Sequence, residues 1–404
     1  MQQSLFFPIL FFLLAFVIGI SAGTTVLVGQ AWGAQNLEKV RCVIGSTLFI
    51  TLIGGTLIAI LGLVFAEQIL NVLGTDPKVM HLSLPYVQWM LVGSPLLFVY
   101  IIYTSILRGV GDSVTPLIAL SLTSLIGLVV TPVLLKGYFG FPELGIIAPA
   151  VATIMGYAAV LIFLAFYLNY KNHPLKIDRQ LIRSIRHDPN LSKLILKLGI
   201  PTGVQMVTTS LAGLVIIGLV NRYGAHATAA YGAVNQVLNY IQFPAMSISI
   251  AASIFAAQAI GAGKSDLLAK VTRTALGMNI LFTGTLITLA YLFSKYLMAL
   301  FITDHSVVVL GQQLLFIVLW SILFFGASAI FASIMRASGT VNVPMMINIL
   351  TILLIEVPCA YWFSSTWGLN GIWTAYALAF VCLCIFQASY YQFVWKKRDI
   401  KRLI

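Results

Sequence analysis

Charged residues are scarce in this chain. They make up 8% of its 404 residues, whereas 60% are apolar and the mean hydropathy is +1.00. A soluble domain carries about 25% charged residues, so this composition excludes a soluble protein. The apolar runs reach the ~20 residues that a helix needs to cross a bilayer, about twice the length of a barrel strand. The sequence therefore predicts an all-α, polytopic transmembrane helix bundle.

Cysteines are few, and nucleotide-binding motifs are missing. All four cysteines lie in or beside apolar runs, and Cys382 and Cys384 are two residues apart on one helix, so they face different directions. Neither a disulfide nor a metal site is predicted. The sequence has no Walker A motif and no soluble domain large enough to hydrolyse a nucleotide. We expect no enzyme activity and no cofactor, with energy taken from a Na⁺ or H⁺ gradient.

The net charge of +12 follows membrane topology. Most of the 23 basic residues lie in alternate loops, which is typical of loops on the cytoplasmic side. We therefore expect a multi-pass protein of the plasma membrane with a cytoplasmic C-terminus. The basic residues form no groove-binding patch, so we expect no nucleic-acid binding. We also expect a monomer that contacts membrane lipids. The basic segments are 30–41, 107–113, 169–198, 259–273, 336–340 and 395–404.

Eleven apolar segments predict eleven membrane spans. Five form an N-terminal bundle within residues 1–168, and six form a C-terminal bundle within residues 197–394. A basic cytoplasmic linker, residues 169–196, joins the bundles, and residues 395–404 form a cytoplasmic tail. The predicted spans are 5–29, 42–66, 85–107, 114–136, 144–168, 197–221, 229–258, 272–294, 310–335, 341–363 and 369–394.

Two short motifs of the first half return 228 residues later in the second half. A long-period repeat in a hydrophobic chain is typical of secondary transporters, whose site lies where the halves meet. Glycine permits a close helix reversal and arginine anchors a helix end, so we assign these motifs to structural turns. The residues concerned are Gln30 and Gly33, echoed by Gln258 and Gly261, and Arg108 and Gly111, echoed by Arg336 and Gly339.

The same offset leaves the predicted span 197–221 without a counterpart in the first half. Its partner would precede residue 1. The sequence therefore predicts a chain that lacks the first helix of a twelve-helix ancestor, with five spans in one bundle and six in the other.

The linker contains one apolar stripe. Ile177, Leu181, Ile182 and Ile185 fall on one helical face, away from the neighbouring arginines. A short helix lying on the inner leaflet would have this pattern. A solvated linker whose basic residues follow topology alone would have it as well, and the sequence leaves both open.

One carboxylate lies inside an apolar run. The chain has 11 Asp and Glu residues, and all except Glu356 fall in loops or at span ends. A carboxylate in the membrane is costly unless it is protonated, paired or hydrated, so Glu356 is the candidate for coupling to a cation or proton. Pro358 removes a backbone donor nearby and would free a carbonyl group. The alternative is that Glu356, about 12 Å from its helix end, reaches the membrane interface.

Uncharged polar residues form two stripes that would line a cavity for an amphiphilic substrate. Helical spacing places four of them on one face of the seventh predicted span and three on the sixth. Hydrogen bonding between helices, without any ligand, explains such stripes equally well. The first stripe is Tyr231, Asn235, Asn239 and Gln242, and the second is Gln205, Thr208 and Thr209.

Several motifs together resemble one transporter family. They are Val28-Gly-Gln30-Ala-Trp-Gly33-Ala, Leu107-Arg108-Gly-Val-Gly111-Asp112, the second-half echoes of both, Leu198-Gly-Ile-Pro201 and Ala229-Ala-Tyr-Gly232. In combination they are similar to the multidrug and toxic compound extrusion (MATE) family over the whole chain. The resemblance implies twelve helices in two bundles, a V-shaped cavity and alternating access. It also implies export of cationic or amphiphilic compounds by antiport with Na⁺ or H⁺.

The chain departs from the family at its acidic positions. Many relatives carry an Asp in the first family helix, which the predicted spans do not include. Others have an Asp before the proline of the fifth family helix, or a Glu eight residues after the proline of the seventh. This chain has Thr131 and Thr209 there. The resemblance thus leaves Glu356 as the only acid inside the membrane.

Two other functions remain open at this point. A flippase for lipid-linked oligosaccharides, from the same superfamily, would be expected to line its cavity with charged residues, which this chain almost lacks. A truncated and inactive membrane protein would follow from the predicted loss of a helix.

Overall fold

The computed structural model describes residues 3–72 and 77–404, with the side chains of 14–71 and 80–404. Within these residues the chain is all-α and has no β-strand. Eleven of the described helices are long and apolar enough to cross a membrane, which confirms the predicted fold class. We number these spans 1 to 11 in chain order: Gln3–Gly33, Leu37–Val72, Pro77–Gly109, Val114–Lys136, Ala148–Tyr170, Pro189–Asn221, Ala225–Gly261, Leu267–Leu292, His305–Ala337, Asn342–Trp367 and Leu369–Phe393.

Short helical segments connect or interrupt the spans. Two of them are π-helical turns, and they lie inside spans 8 and 10. In a π-helical turn each backbone amide donates to the carbonyl five residues back, not four. The π-helical turns are Asn279–Thr283 and Ile352–Glu356, the 3₁₀ turns are Tyr138–Gly140, Gly145–Ile147, Leu319–Ser321 and Trp395–Lys397, and the short α-helices are Arg179–Ser184 and Ser294–Ala299.

Span 6 begins at Pro189, two turns before the predicted start at residue 197. The carboxylate of Asp188 accepts hydrogen bonds from the amides of Asn190 at 2.9 Å and Leu191 at 3.1 Å. An acidic cap followed by proline at the first helical position is a strong helix start. Hydropathy misses these first turns because they contain polar residues, and the basic linker is correspondingly shorter than predicted.

The described chain divides into two compact units. The first is Met1–Gly203 with Ile404, and the second is Val204–Leu403. The division falls within span 6, whereas the sequence placed the whole of that helix in the C-terminal bundle. Its first turns belong to the first unit because Gly199 packs directly against Gly19 of span 1. The predicted limits of the two bundles stay a prediction.

Hydroxyl groups connect the helices of the first unit. The Ser21 hydroxyl donates to the Ser105 hydroxyl at 2.6 Å, which joins spans 1 and 3. The hydroxyls of Thr24 and Thr47 lie 3.2 Å apart and join spans 1 and 2. Such bonds hold membrane helices together where the surrounding lipid provides no hydrophobic driving force.

The linker is anchored on the first unit. Asp178 caps the helix Arg179–Ser184 by accepting from the Leu181 amide at 2.7 Å, and it pairs with Arg41 of span 2 at 3.3 Å. Leu181 is buried, whereas Ile182 is exposed. The predicted apolar stripe is therefore split, with one side packed on the protein.

The first repeated motif forms the same turn in both halves. Each turn is a helix C-cap in which the amide after a left-handed residue donates to the carbonyl five residues back, at 3.0 Å in the first half and 2.9 Å in the second. The left-handed residues are Gln35, with φ 57°, and Gly263, with φ 72°. Gly33 and Gly261 lie two positions earlier, so assigning the reversal to them was wrong. The Gln30 and Gln258 carbonyls accept hydrogen bonds from Ala34 and Ala262 at 3.0 and 2.9 Å.

The second repeated motif also forms equivalent C-caps. Gly111 has φ 94° and Gly339 has φ 86°, a conformation that favours glycine. Their amides donate to the carbonyls of Arg108 and Arg336, both at 2.9 Å. The Arg108 guanidinium also donates to the Ser105 hydroxyl at 2.6 Å. The sequence repeat therefore corresponds to a repeated backbone conformation.

The C-terminal tail folds back onto the turns of the second unit. The Trp395 indole is almost fully buried and donates to the Ser338 hydroxyl at 2.9 Å. A Cβ added at Gly339 would lie 2.7 Å from the Leu403 side chain, and one at Gly263 would lie 3.0 Å from Arg402. The tail therefore covers the second-half turns of both repeated motifs.

Candidate functional site

Glu356 lies in the interior of the second unit. It is the last residue of the π-helical turn Ile352–Glu356, and it is 9% exposed. Pro358 supplies no amide to the carbonyl of Leu354, so the local hydrogen-bond pattern is irregular there. None of the ion pairs in the described part of the chain includes Glu356. The residue is thus a buried carboxyl without a recorded cationic partner.

Two tyrosines from other spans lie within electrostatic range of Glu356. They are Tyr231 of span 7 and Tyr376 of span 11. Their hydroxyl oxygens are 3.2 Å apart, so one donates to the other. We call Glu356 and this tyrosine pair the network; within it, the recorded hydrogen bond is the one between the two tyrosines, which joins spans 7 and 11.

An indole ring contacts both tyrosines. The Trp373 ring centroid lies 5.3 Å from that of Tyr231 and 5.6 Å from that of Tyr376. Trp373 has no exposed surface, and its Nε1 has no hydrogen-bond partner among the described residues. A buried donor of this kind costs about 1–3 kcal/mol. The tyrosine pair thus lies in an aromatic cluster that contains a buried hydrogen-bond donor with no recorded partner.

The four residues of the first predicted stripe differ in environment. Tyr231 is buried and Asn235 is partly buried, while Asn239 is exposed and Gln242 is again partly buried. Only Tyr231 belongs to the network around Glu356. The structure therefore brings one residue of this stripe, Tyr231, near the candidate coupling residue. Its role as a substrate cavity stays a prediction.

The second predicted stripe bonds within its own helix. The Thr208 hydroxyl donates to the Val204 carbonyl and the Thr209 hydroxyl to the Gln205 carbonyl, both at 3.0 Å. Hydroxyls that bond to the preceding turn are satisfied without a neighbouring helix. Within the described residues, no recorded hydrogen bond connects this stripe with the network around Glu356.

A shallow, open cavity of about 400 Å³ lies on an adjacent face of span 7. Thr228, Gly232 and Gln236 line it at helical spacing, and Phe301 and Ile302 face them from the segment before span 9. Sequence reasoning missed these residues because it followed the continuous polar stripe. The signal that would have found them is a glycine between two polar residues at i, i+4 and i+8. Ala229 and Ala233 complete the lining.

The fold and the repeat define a multi-pass α-helical membrane protein with two similar halves. A family model described as MatE matches residues 3–133 and 201–362, which is more than half of the chain. The chain therefore belongs to the MatE family, as the motifs predicted. This membership confirms the resemblance to MATE transporters.

Two curated relatives and one solved structure are similar along nearly the whole chain. The "Probable multidrug resistance protein YoeA" of Bacillus subtilis (strain 168) is 43% identical, over 99% of this chain and 87% of the relative. The "FAD transporter" of Shewanella oneidensis is 26% identical, over 95% of this chain and 84% of the relative. The structure described as "Crystal structure of MATE in complex with MaD3S" has a TM-score of 0.89 at 20% identity, and covers 97% of this chain and 86% of its own.

Proposed function

We propose that this protein is a secondary multidrug efflux transporter. It exchanges cationic or amphiphilic small molecules for Na⁺ or H⁺ by alternating access across the plasma membrane. The observation that carries the proposal is the buried carboxyl of Glu356 inside a membrane span, which forms no ion pair with any described residue. The name of the Bacillus subtilis relative, a probable multidrug resistance protein, supports drug export as the direction of transport.

Coupling to an ion gradient follows from the chemistry of a carboxyl group in the membrane. A carboxylate is stabilised there by a proton or a bound cation, and without either it is strongly disfavoured. A carboxyl group that binds a proton or cation from one side of the membrane and releases it to the other side can couple ion entry to a conformational change. Glu356 has no recorded ion-pair partner among the described residues, so a proton or Na⁺ is the neutralising group.

The substrate class follows from the cavity on span 7. Its volume of about 400 Å³ leaves room for a small molecule that stays partly exposed. Gln236 and Thr228 offer hydrogen bonds, and Phe301 offers an aromatic face for a delocalised cation. No charged side chain is among the lining residues, which suits an amphiphile better than the charged headgroup of a lipid-linked oligosaccharide. We take this cavity as part of the substrate path.

Topology follows from the basic segments. The linker and the tail contain many Lys and Arg residues, and an excess of these residues marks the cytoplasmic side. We place the C-terminus in the cytoplasm. The protein then needs no cofactor other than its coupling ion, and a monomer contains every residue of the proposed site.

The test is Glu356→Gln in a drug-sensitive bacterial host, with Glu143→Gln as control. Glutamine keeps the shape of the side chain but cannot release a proton, whereas Glu143 is exposed in a loop. We expect Glu356→Gln to abolish ethidium efflux and drug resistance at normal membrane expression. The Glu143 variant should match the wild type. Unchanged efflux by Glu356→Gln would overturn the proposal.

A further inference from the structure

The C-terminal tail carries a dense group of positive charges directly after span 11. Five of the seven residues 396–402 are basic and one is acidic, and all six of these side chains are exposed. The acidic residue, Asp399, lies 3.9 Å from Lys401, and the ion pairs of the described residues include none of the other four basic residues. The five basic residues, which we call the basic tail patch, are Lys396, Lys397, Arg398, Lys401 and Arg402.

Span 11 places this patch at the level of the lipid headgroups. The helix has 25 residues and extends about 37 Å at about 1.5 Å per residue, which exceeds the ~30 Å of the hydrocarbon core. The 3₁₀ turn Trp395–Lys397 follows, so Lys396 lies about 6 Å beyond Phe393 at about 2 Å per residue. That distance is shorter than the Debye length of about 8 Å in physiological salt, within which the charge of a membrane surface acts on side chains.

Recorded contacts hold the start of the tail against the end of span 11. The Trp395 ring stacks on Tyr391 with 5.0 Å between the centroids, and its indole donates to the Ser338 hydroxyl at 2.9 Å. The Arg398 guanidinium lies 5.8 Å from the centroid of the Tyr390 ring, so the chain turns back along the helix end. The patch therefore stays at the headgroup level, where a tail without these contacts could extend into solvent.

The far end of the tail is fixed as well. A Cβ at Gly339 would lie 2.7 Å from the Leu403 side chain, and one at Gly263 would lie 3.0 Å from the Arg402 guanidinium. Basic side chains on a fixed backbone lose less conformational freedom on binding than those of a free segment. The tail is therefore organised for binding before a ligand arrives.

Apolar side chains border the patch on span 11. Phe386 and Phe393 lie seven residues apart, on one face of the helix, and both are exposed, as is Val394. A partner that fits this surface has a negative charge next to an apolar chain. Phospholipids with anionic headgroups have both, and Lys and Arg donate charge-assisted hydrogen bonds to phosphate oxygens. Four to eight basic residues directly after a transmembrane helix are typical of proteins that bind such lipids.

We propose that the basic tail patch and the apolar end of span 11 form a binding site for the headgroup of an anionic phospholipid. The inference rests on the proposed topology in one respect, because a cytoplasmic tail takes this lipid from the inner leaflet. Binding to protein in detergent does not depend on the leaflet.

The experiment titrates the purified protein in a neutral detergent with phosphatidylglycerol. The readouts are the thermal midpoint and the number of lipids retained in native mass spectrometry. Lys396→Gln/Lys397→Gln removes two exposed charges that take part in no recorded ion pair of the described chain. Arg222→Gln/Lys295→Gln is the matched control, because it removes the same charge from exposed residues that follow spans 6 and 8, at the opposite ends of the helices.

We expect phosphatidylglycerol to raise the thermal midpoint of the wild type and to be retained in preference to phosphatidylcholine. One basic residue near an anionic surface strengthens binding about fivefold, so Lys396→Gln/Lys397→Gln should need about tenfold more phosphatidylglycerol, or more, for the same shift. The Arg222→Gln/Lys295→Gln variant should match the wild type. Lys396→Arg/Lys397→Arg, which keeps the charge, should match it too. Glycerol phosphate, which has the headgroup chemistry without acyl chains, should not raise the midpoint at the same concentrations.

Four results would overturn the inference. They are unchanged phosphatidylglycerol binding in Lys396→Gln/Lys397→Gln, an equal loss in Arg222→Gln/Lys295→Gln, equal retention of phosphatidylcholine, and an equal shift with glycerol phosphate. The second would show attraction by total charge alone, and the last would indicate a site for soluble phosphates. None of these measurements involves transport, so active Glu356→Gln would overturn the proposed function without deciding this inference.

Discussion

Gly19 of span 1 and Gly199 of span 6 lie backbone against backbone. A Cβ added at Gly19 would come within 2.6 Å of the Gly199 carbonyl oxygen, and one added at Gly199 would come within 2.8 Å of the Gly19 carbonyl oxygen. The contact continues one turn away, where a Cβ at Gly23 would lie 2.8 Å from the Ile195 carbonyl oxygen. Small residues at four-residue spacing allow membrane helices to approach this closely.

Gly19→Leu should separate these helices and destabilise the first unit. Overpacking of a close contact costs about 1–3 kcal/mol, and here the atoms in the way are backbone, which cannot rotate aside. We expect a lower thermal midpoint in detergent and lower membrane yield. Gly213→Leu on span 6 is the control, since nothing lies within 4 Å of a Cβ at that position. Equal midpoints for the two variants would contradict this account of the contact.

Asp178 holds the linker helix Arg179–Ser184 on the first unit, so Asp178→Ala should loosen this helix. Loss of a helix cap costs about 1 kcal/mol, and the variant also loses the ion pair with Arg41. The helix Arg179–Ser184 should therefore open, and trypsin should cut at Arg179 or Arg183 faster than in the wild type. Asp266→Ala is a matched control, because Asp266 precedes span 8 without a side-chain capping bond. Equal cleavage rates for both variants would show that Asp178 does not hold the linker.

The loop residue His173 predicts a pH dependence of stability. Burial, helped by the charge of Lys171, lowers the pKa of His173 below its ordinary value near 6.5, although Asp112 opposes the shift. The unfolded chain then binds a proton more readily than the folded chain. The contribution of neutral His173 is present above pH ~6.5 and is lost as the pH falls below that value.

Thermal midpoints of the wild type and His173→Gln between pH 8 and 5 check this expectation. Glutamine does not titrate, so the variant should lose less stability on acidification, and the two curves should converge at low pH. Parallel curves over the whole range would rule out His173 as a source of the pH dependence.

The repeat shows how much the sequence could predict. The turns at Gly111 and Gly339 followed from glycine after a basic helix end, and both have positive φ. For the first motif the sequence pointed to Gly33 and Gly261, whereas the left-handed residue is Gln35 in one half and Gly263 in the other. A non-glycine residue in this conformation leaves no signal in composition. The repeat identified the turn but not the residue that makes it.

The candidate site was only partly predictable. A lone acid in an apolar run identified Glu356, and helical spacing identified Tyr231. Tyr376 was missed, since one tyrosine in an aromatic span gives no sign of a partner 145 residues away. The π-helical turn before Pro358 was missed as well, because it depends on how one backbone interruption is resolved by tertiary packing. Neighbours across helices are set by packing angles that a single sequence does not contain.

The cavity on span 7 predicts the effect of Gly232→Phe. Nothing lies within 4 Å of a Cβ at Gly232, so a large side chain can enter the cavity without displacing protein atoms. We expect the KM for ethidium export to rise about tenfold or more, with little change in thermal midpoint, because a filled cavity excludes substrate. Gly277→Phe on span 8 is the control, with equally open surroundings outside the cavity lining. A wild-type KM in Gly232→Phe would remove this cavity from the substrate path.

Gradient-driven transport in proteoliposomes tests the central claim most directly. Wild-type protein should move tetraphenylphosphonium against its gradient when a pH or Na⁺ gradient is imposed across the membrane, and should stop when that gradient is collapsed with an ionophore. Glu356→Gln, reconstituted at equal density, should show no response to either gradient. Concentrative transport by Glu356→Gln at the wild-type rate would contradict the account.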